Sequence, residues 1–161
     1  MLWLTLLGWL HAAVPDDLTG RWVLDLEASD ALDPLLVAAG LGWTERQIAA
    51  HNRVVQDIRV QDQALVIDVS SLFQDRTEVL PLNGEPTART NRLGQPMAVR
   101  TYTAGEAVIT VSDITTEDGP ARMEMRRTLE DGGATLRTRV TYTPPGGAPL
   151  SADRLYRREP P

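Results

Sequence analysis

Residues 18–52 read LTGRWVLDLEASDALDPLLVAAGLGWTERQIAAHN, and this stretch decides the fold. Its first part, Leu18 to Leu26, alternates with period two, so that Trp22, Leu24 and Leu26 share one face of a strand. Between Ser29 and Asn52 the alternation stops and two short helical segments replace it. Asp33-Pro34 offers an N-cap with Pro at the first helical position, Leu35-Leu36-Val37-Ala38-Ala39 supplies apolar turns, and Gly40 supplies a stop. Thr44-Glu45-Arg46-Gln47 then has the spacing of a capping box, which predicts a second helix through Ile48-Ala49-Ala50. A helix-turn-helix therefore interrupts an otherwise β pattern between its first and second strands.

Beyond Asn52 the chain returns to alternation. Strands are predicted at 53–60, 64–70, 74–81, 86–92, 97–103, 107–114, 121–129, 134–142 and 149–158, ten with the first. Turn signals at Asn83-Gly84, Ala104-Gly105, Asp118-Gly119, Asp131-Gly132-Gly133 and Pro144-Pro145-Gly146-Gly147 punctuate them. Many short antiparallel strands at even spacing make a sandwich or a barrel, and closure is the arrangement that removes exposed edges. The expected fold is all-β: a ten-stranded antiparallel up-and-down barrel with a helix-turn-helix lid, wide enough for an internal cavity. With 161 residues, no repeat and no linker, one domain is expected over 16–161.

Composition excludes several kinds of chemistry. The chain has no Cys, and its basic residues are sixteen Arg without a Lys. Disulfides, thiolate metal sites, cysteine nucleophiles and Schiff-base lysines are thereby absent. The net charge of −6 and the lack of a basic cluster argue against nucleic-acid binding. Met1 to Leu10 (MLWLTLLGWL) is apolar and Ala12-Ala13 follow it, so residues 1–15 read as a hydrophobic leader with the features of a secretory signal. No Arg or Lys precedes that run, and it is shorter than the roughly 20 residues a membrane span needs. The location is periplasmic or secreted if the leader is removed and cytoplasmic otherwise.

The motifs in order resemble the fatty-acid-binding proteins, the intracellular lipid-binding family of the calycin group. Gly20-Arg21-Trp22 matches its glycine-x-tryptophan. Residues 39–49, from Ala39-Gly40-Leu41-Gly42-Trp43 to Ile48-Ala49, are similar to its leucine-glycine-valine-glycine-phenylalanine lid run. Ser71-Leu72-Phe73-Gln74-Asp75-Arg76-Thr77-Glu78 is similar to its portal segment with one extra residue, and Arg127-Thr128-Leu129-Glu130-Asp131-Gly132 and Arg154-Leu155-Tyr156 resemble its last two hairpin motifs. The resemblance implies non-covalent binding and transport of a long-chain fatty acid or similar amphipathic carboxylate by a monomer, with weak membrane contact and no cofactor. It also implies that Arg127, Arg154 and Tyr156 hold the ligand carboxylate. An exported lipocalin-like carrier of a bulkier ligand, or a small calycin enzyme acting on a lipid, is the alternative.

The residues themselves fit that chemistry. Arg154 and Tyr156 are two apart, so they share one side of a strand, and Arg127 continues the apolar row Met123, Met125, Leu129. Guanidinium matches a carboxylate bidentately, and Tyr adds a neutral donor. Alternation alone leaves an outward placement open, with Arg127 paired to a neighbour such as Glu124, because a one-residue slip inverts every side chain. Arg126 is the adjacent competitor, and the spacing to Gly132 favours Arg127. Leu36, Trp43 and Phe73 are the expected portal and lid residues, with Leu35 and Val37 lining the lid beside Leu36, while Trp22 is expected to pack the barrel floor. His11 and His51 have no Ser and acid placed with them, and Asp113, Glu117 and Asp118 crowd a turn, so neither catalysis nor a metal site is expected.

Overall fold

The alternating segments pair into one antiparallel sheet. The computed structural model describes residues 16–72 and 74–160; the leader of residues 1–15 and Phe73 lie outside the described residues. A 3-10 turn at Asp16–Leu18 leads into β1 (Gly20–Asp25), followed by α1 (Asp33–Ala38) and α2 (Trp43–His51). The remaining strands are β2 (Val54–Gln61), β3 (Ala64–Ser71), β4 (Arg76–Pro81), β5 (Thr87–Thr90), β6 (Pro96–Ala104), β7 (Ala107–Thr116), β8 (Gly119–Glu130), β9 (Thr135–Thr143) and β10 (Leu150–Arg158). Their order across the sheet is β4-β3-β2-β1-β10-β9-β8-β7-β6-β5. This is the expected up-and-down barrel with two helices between its first two strands.

Closure is incomplete in one respect. β4 and β5 are the two edges of the ladder, and a side chain spans the seam: Arg89 Nη2 on β5 donates to the Val79 carbonyl on β4 at 2.6 Å. β5 is also shorter than the predicted 86–92, which leaves fewer unpaired backbone groups on that edge.

The helix starts differ from the capping signals. Leu32, not Asp33, is the N-cap of α1, and Asp33 and Pro34 both sit in its first turn. In α2 the cap is Gly42 and the helix starts at Trp43, so Thr44 lies inside it and the capping box does not form. Glu45 occupies the third helical position instead, its carboxylate folded to within 2.6 Å of where a Cβ on Gly42 would stand. A side chain at residue 42 would collide with it, and an acid in the first turn suits the positive end of the helix.

The floor of the barrel is built around Trp22. Its ring is fully buried with Leu18, Leu24, Ile58, Leu65, Ile67, Leu80, Val108, Leu136 and Tyr156. Its indole N–H donates to the Leu18 carbonyl at 3.0 Å, and the Arg158 guanidinium lies 4.2 Å from the ring centroid, a cation–π contact. Outward rows carry several of the arginines as ladders of ion pairs. Asp153 accepts from Arg139 at 2.8 Å and from Arg137 at 2.5 Å, and Asp113 accepts from Arg122 and Arg100.

Candidate ligand-binding site

Register decides which side chains meet inside the barrel. Arg127 on β8 stands opposite Thr138 on β9, and Thr138 stands opposite Arg154 on β10. The three form one row across adjacent strands, all pointing inward: Arg127 is 4%, Thr138 5% and Arg154 7% exposed. Tyr156, two residues beyond Arg154, is buried on the same side. The alternative placement on the outer face is thereby removed. Arg126 is the exposed residue that alternates with Arg127.

The contacts of these residues are with neutral groups. Arg127 Nη1 donates to Thr110 Oγ1 at 3.0 Å, and Thr110 in turn accepts from Thr101 at 3.2 Å. Arg127 Nη2 lies 3.7 Å from the Met125 sulfur, and its Nε has no partner. Arg154 Nη1 donates to the Asp30 carbonyl at 2.9 Å. Tyr156 Oη accepts from Gln56 Nε2 at 3.1 Å, which leaves the phenol proton free to donate. Among the described residues no carboxylate is ion-paired with either arginine.

The connection between β1 and α1 fixes Arg154. Above Leu155 strand β10 runs past the end of β1, and the chain at Ser29-Asp30 takes over the edge. Asp30 N–H donates to the Asp153 carbonyl at 2.9 Å, Asp153 N–H donates to Asp30 Oδ2 at 2.8 Å, and Leu155 N–H donates to Ser29 Oγ at 2.9 Å. That strap presents the Asp30 carbonyl to the guanidinium. Arg154 also lines a concavity of about 190 Å³ under the helices, with Leu26, Ser29, Leu36 and Arg46.

The electrostatics follow from burial. Burial pushes the Arg127 guanidinium below its ordinary range, opposed by the negative charge of Glu78. Burial likewise lowers Arg154 and raises the Tyr156 phenol, which the two arginines pull back down. Glu78 stands opposite the buried Ile67 on β3, with Leu80 two residues on, so it belongs to the inward row of β4. Its partner is Arg76, whose Nε donates at 2.8 Å. The interior thus holds two buried arginines around a neutral phenol, with the Arg76–Glu78 pair nearer solvent, a field that favours an incoming anion.

No family model matches the sequence, and neither does any curated protein. Solved structures do match in three dimensions. The apo form of lipid binding protein 8 of Caenorhabditis elegans covers 92% of this chain and 99% of its own, at 16% identity and a TM-score of 0.75. The fatty acid binding protein of Schistosoma mansoni in complex with arachidonic acid covers 92% and 100%, at 17% identity and a TM-score of 0.73. A structure described as the REP1-NXSQ fatty acid transporter covers 90% and 98%, at 19% identity and a TM-score of 0.69. The fold is that of the fatty-acid-binding proteins.

Within this fatty-acid-binding-protein fold the lid residues separate. Leu35 is buried against Ile114, Ala121, Tyr142 and Ala152, and Leu36 is half-buried over the concavity beside Arg154. Val37 is 51% exposed and does not line the lid: three consecutive helical residues sweep about 200° and cannot all face inward. Trp43 is 68% exposed at the start of α2. The helices meet the β3–β4 turn from the other end of α2, where Asn52 Oδ1 accepts the Leu72 N–H at 3.2 Å. A second concavity, about 520 Å³, opens between Ala38–Gly40, the β5–β6 turn and the acidic Glu117-Asp118 turn. His51 lies exposed at the end of α2, its ring beside the Gln47 carbonyl. Among the described residues no three His, Cys, Asp or Glu gather as a metal site requires, and no helix is long and apolar enough to cross a membrane.

Sequence reading missed Thr138, Thr110, Gln56 and Glu78. Thr138 and Thr110 are residues that suit either face of a strand, and Gln56 and Glu78 are polar residues on strands with nothing in their type to mark them as interior. Only the pairing of distant strands brings them to Arg127 and Tyr156. The usable signal was alternation from Ile58 back to Gln56 and from Leu80 back to Glu78.

Proposed function

We propose that this chain binds one long-chain fatty acid, or a similar amphipathic carboxylate, non-covalently inside the barrel and carries it as a monomer. The observation that carries the reading is the pair of buried guanidiniums, Arg127 and Arg154, without a carboxylate partner beside the free phenol proton of Tyr156. A buried cation with only neutral contacts is costly, and a ligand carboxylate relieves that cost through charge-assisted hydrogen bonds. The tail gains from burial at about 0.8 kcal/mol per methylene. The solved structures that share this fold include a fatty acid transporter and a fatty acid binding protein, which supports carriage over turnover. Leu36 covers the head-group side, and the portal is the junction of the C-terminal end of α2 with the β3–β4 turn, while Trp43 stands exposed at the opposite end of α2.

The test is native mass spectrometry of delipidated protein incubated with a fatty-acid mixture. Wild type should take up one acid per chain and return it unchanged, and Arg127→Ala/Arg154→Ala should take up little. Equal uptake by both proteins would overturn the head-group assignment, and no uptake by wild type would overturn the carrier reading.

A further inference from the structure

Among the described residues three buried side-chain polar atoms have no partner: Arg127 Nε, Thr138 Oγ1 and Gln56 Oε1. They are neighbours in the fold. Thr138 lies between Arg127 and Arg154 in the same cross-strand row, and Gln56 is 3.1 Å from the Tyr156 phenol through its other amide atom. Their chemistry differs. Arg127 Nε only donates, the Thr138 hydroxyl can donate, and an amide oxygen only accepts.

A fatty-acid carboxylate is itself acceptor-only. It satisfies Arg127 Nε and the Thr138 hydroxyl, and it does nothing for Gln56. Turning the amide over does not remove the mismatch. Gln56 Oε1 would then consume the phenol proton of Tyr156, which the carboxylate needs. With Tyr156 donating to the ligand, Gln56 must offer its NH₂ to the phenol oxygen and hold its carbonyl toward a donor. The missing donor therefore belongs close to the carboxylate. Gln56 Oε1 sits on the same amide group whose Nε2 is 3.1 Å from the Tyr156 oxygen that serves the carboxylate.

We infer that the preferred ligand is a hydroxy fatty acid, with its hydroxyl on the first or second carbon beyond the carboxyl. Thr138 is a fourth donor to the carboxylate, and Gln56 is the acceptor that reads the hydroxyl. The inference rests on the carrier reading above and narrows its ligand class. It makes Gln56 the specificity-determining residue, because a site built to hydrogen-bond a hydroxyl rejects the analogue that lacks one by leaving its own buried group unpaired.

The test is calorimetric titration of the delipidated protein with hexadecanoate, 2-hydroxyhexadecanoate and 3-hydroxyhexadecanoate, on wild type, Gln56→Leu and Thr138→Val. Wild type should bind one of the hydroxy acids about tenfold more tightly than hexadecanoate, the worth of one satisfied buried hydrogen bond. In Gln56→Leu that ratio should fall to about one, and in Thr138→Val both affinities should drop together by about tenfold. Equal binding of plain and hydroxy acids by wild type overturns the inference alone and assigns the orphaned atoms to ordered water. Discrimination that survives Gln56→Leu overturns the role of Gln56, and absence of binding by all three acids overturns the carrier reading with it. The wild-type ratio decides the ligand class even if a variant fails to fold.

Discussion

Arg127 is buried with one strong neutral acceptor, and its placement opposes stability to binding. Its one hydroxyl partner, Thr110, already bonds Thr101, so removing the guanidinium strands no buried acceptor there. Replacing a buried charge by an apolar side chain of similar size is often stabilising. Arg127→Leu should therefore raise the stability of the ligand-free protein by about 1–2 kcal/mol, while abolishing the rise in melting temperature that a fatty acid gives wild type. Thermal melts with and without the acid check both halves; destabilisation of the ligand-free protein would show that Arg127 is structural. The inward direction of Arg127, Arg154 and Tyr156 was legible because alternation could be anchored at the Gly132 turn and at the apolar neighbours. The other half of the site was not. Threonine suits either face of a strand, and Thr138 becomes a site residue only through its register with two strands at once. Gln56 reaches Tyr156 across 100 positions of sequence, a distance that no local pattern encodes.

At the scale of elements, the strands were readable even where no Gly or Pro marks the turn: the β2–β3 hairpin, expected at 53–60 and 64–70, forms at Val54–Gln61 and Ala64–Ser71, and the missing Gly shows only in the turn's backbone. Gln61 pairs with Ala64, leaving a two-residue loop of Asp62 and Gln63 with φ of 50° and 59°. Positive φ at both positions is the tight hairpin turn that normally takes Asn-Gly or Asp-Gly. Gln63 adopts it at a cost of about 1 kcal/mol. Gln63→Gly should thus stabilise the protein by about 0.5–1 kcal/mol, read as a higher denaturation midpoint with an unchanged slope. No change, or a loss, would mean that the Gln63 side chain makes a compensating contact. The helices were legible as a pair and misread at their starts. The polar residues that signal a cap are present, but the chain enters α1 through Leu32 and α2 through Gly42. Tertiary constraints there, including the strap at Ser29-Asp30, set the entry angle before local capping can.

On the scale of the molecule, the arginine-only composition divides by location. Among the described residues seven guanidiniums sit on outward rows in ion pairs with Asp and Glu, where each contributes little individually. Arg158 braces Trp22 at the floor, Arg89 bridges the β4–β5 seam, and Arg127 and Arg154 share one row inside the barrel with Thr138 between them. The barrel's layout makes the interior pair consequential, because the strands bury both and, among the described residues, leave no carboxylate ion-paired with either. The central claim is that this pair selects an anionic head group. Calorimetric titration of the delipidated protein with hexadecanoate and with its methyl ester tests it most directly, since the two ligands share a tail and differ in charge. The expected result is binding of the acid at least about tenfold tighter than the ester, and equal affinities for the two would contradict the account.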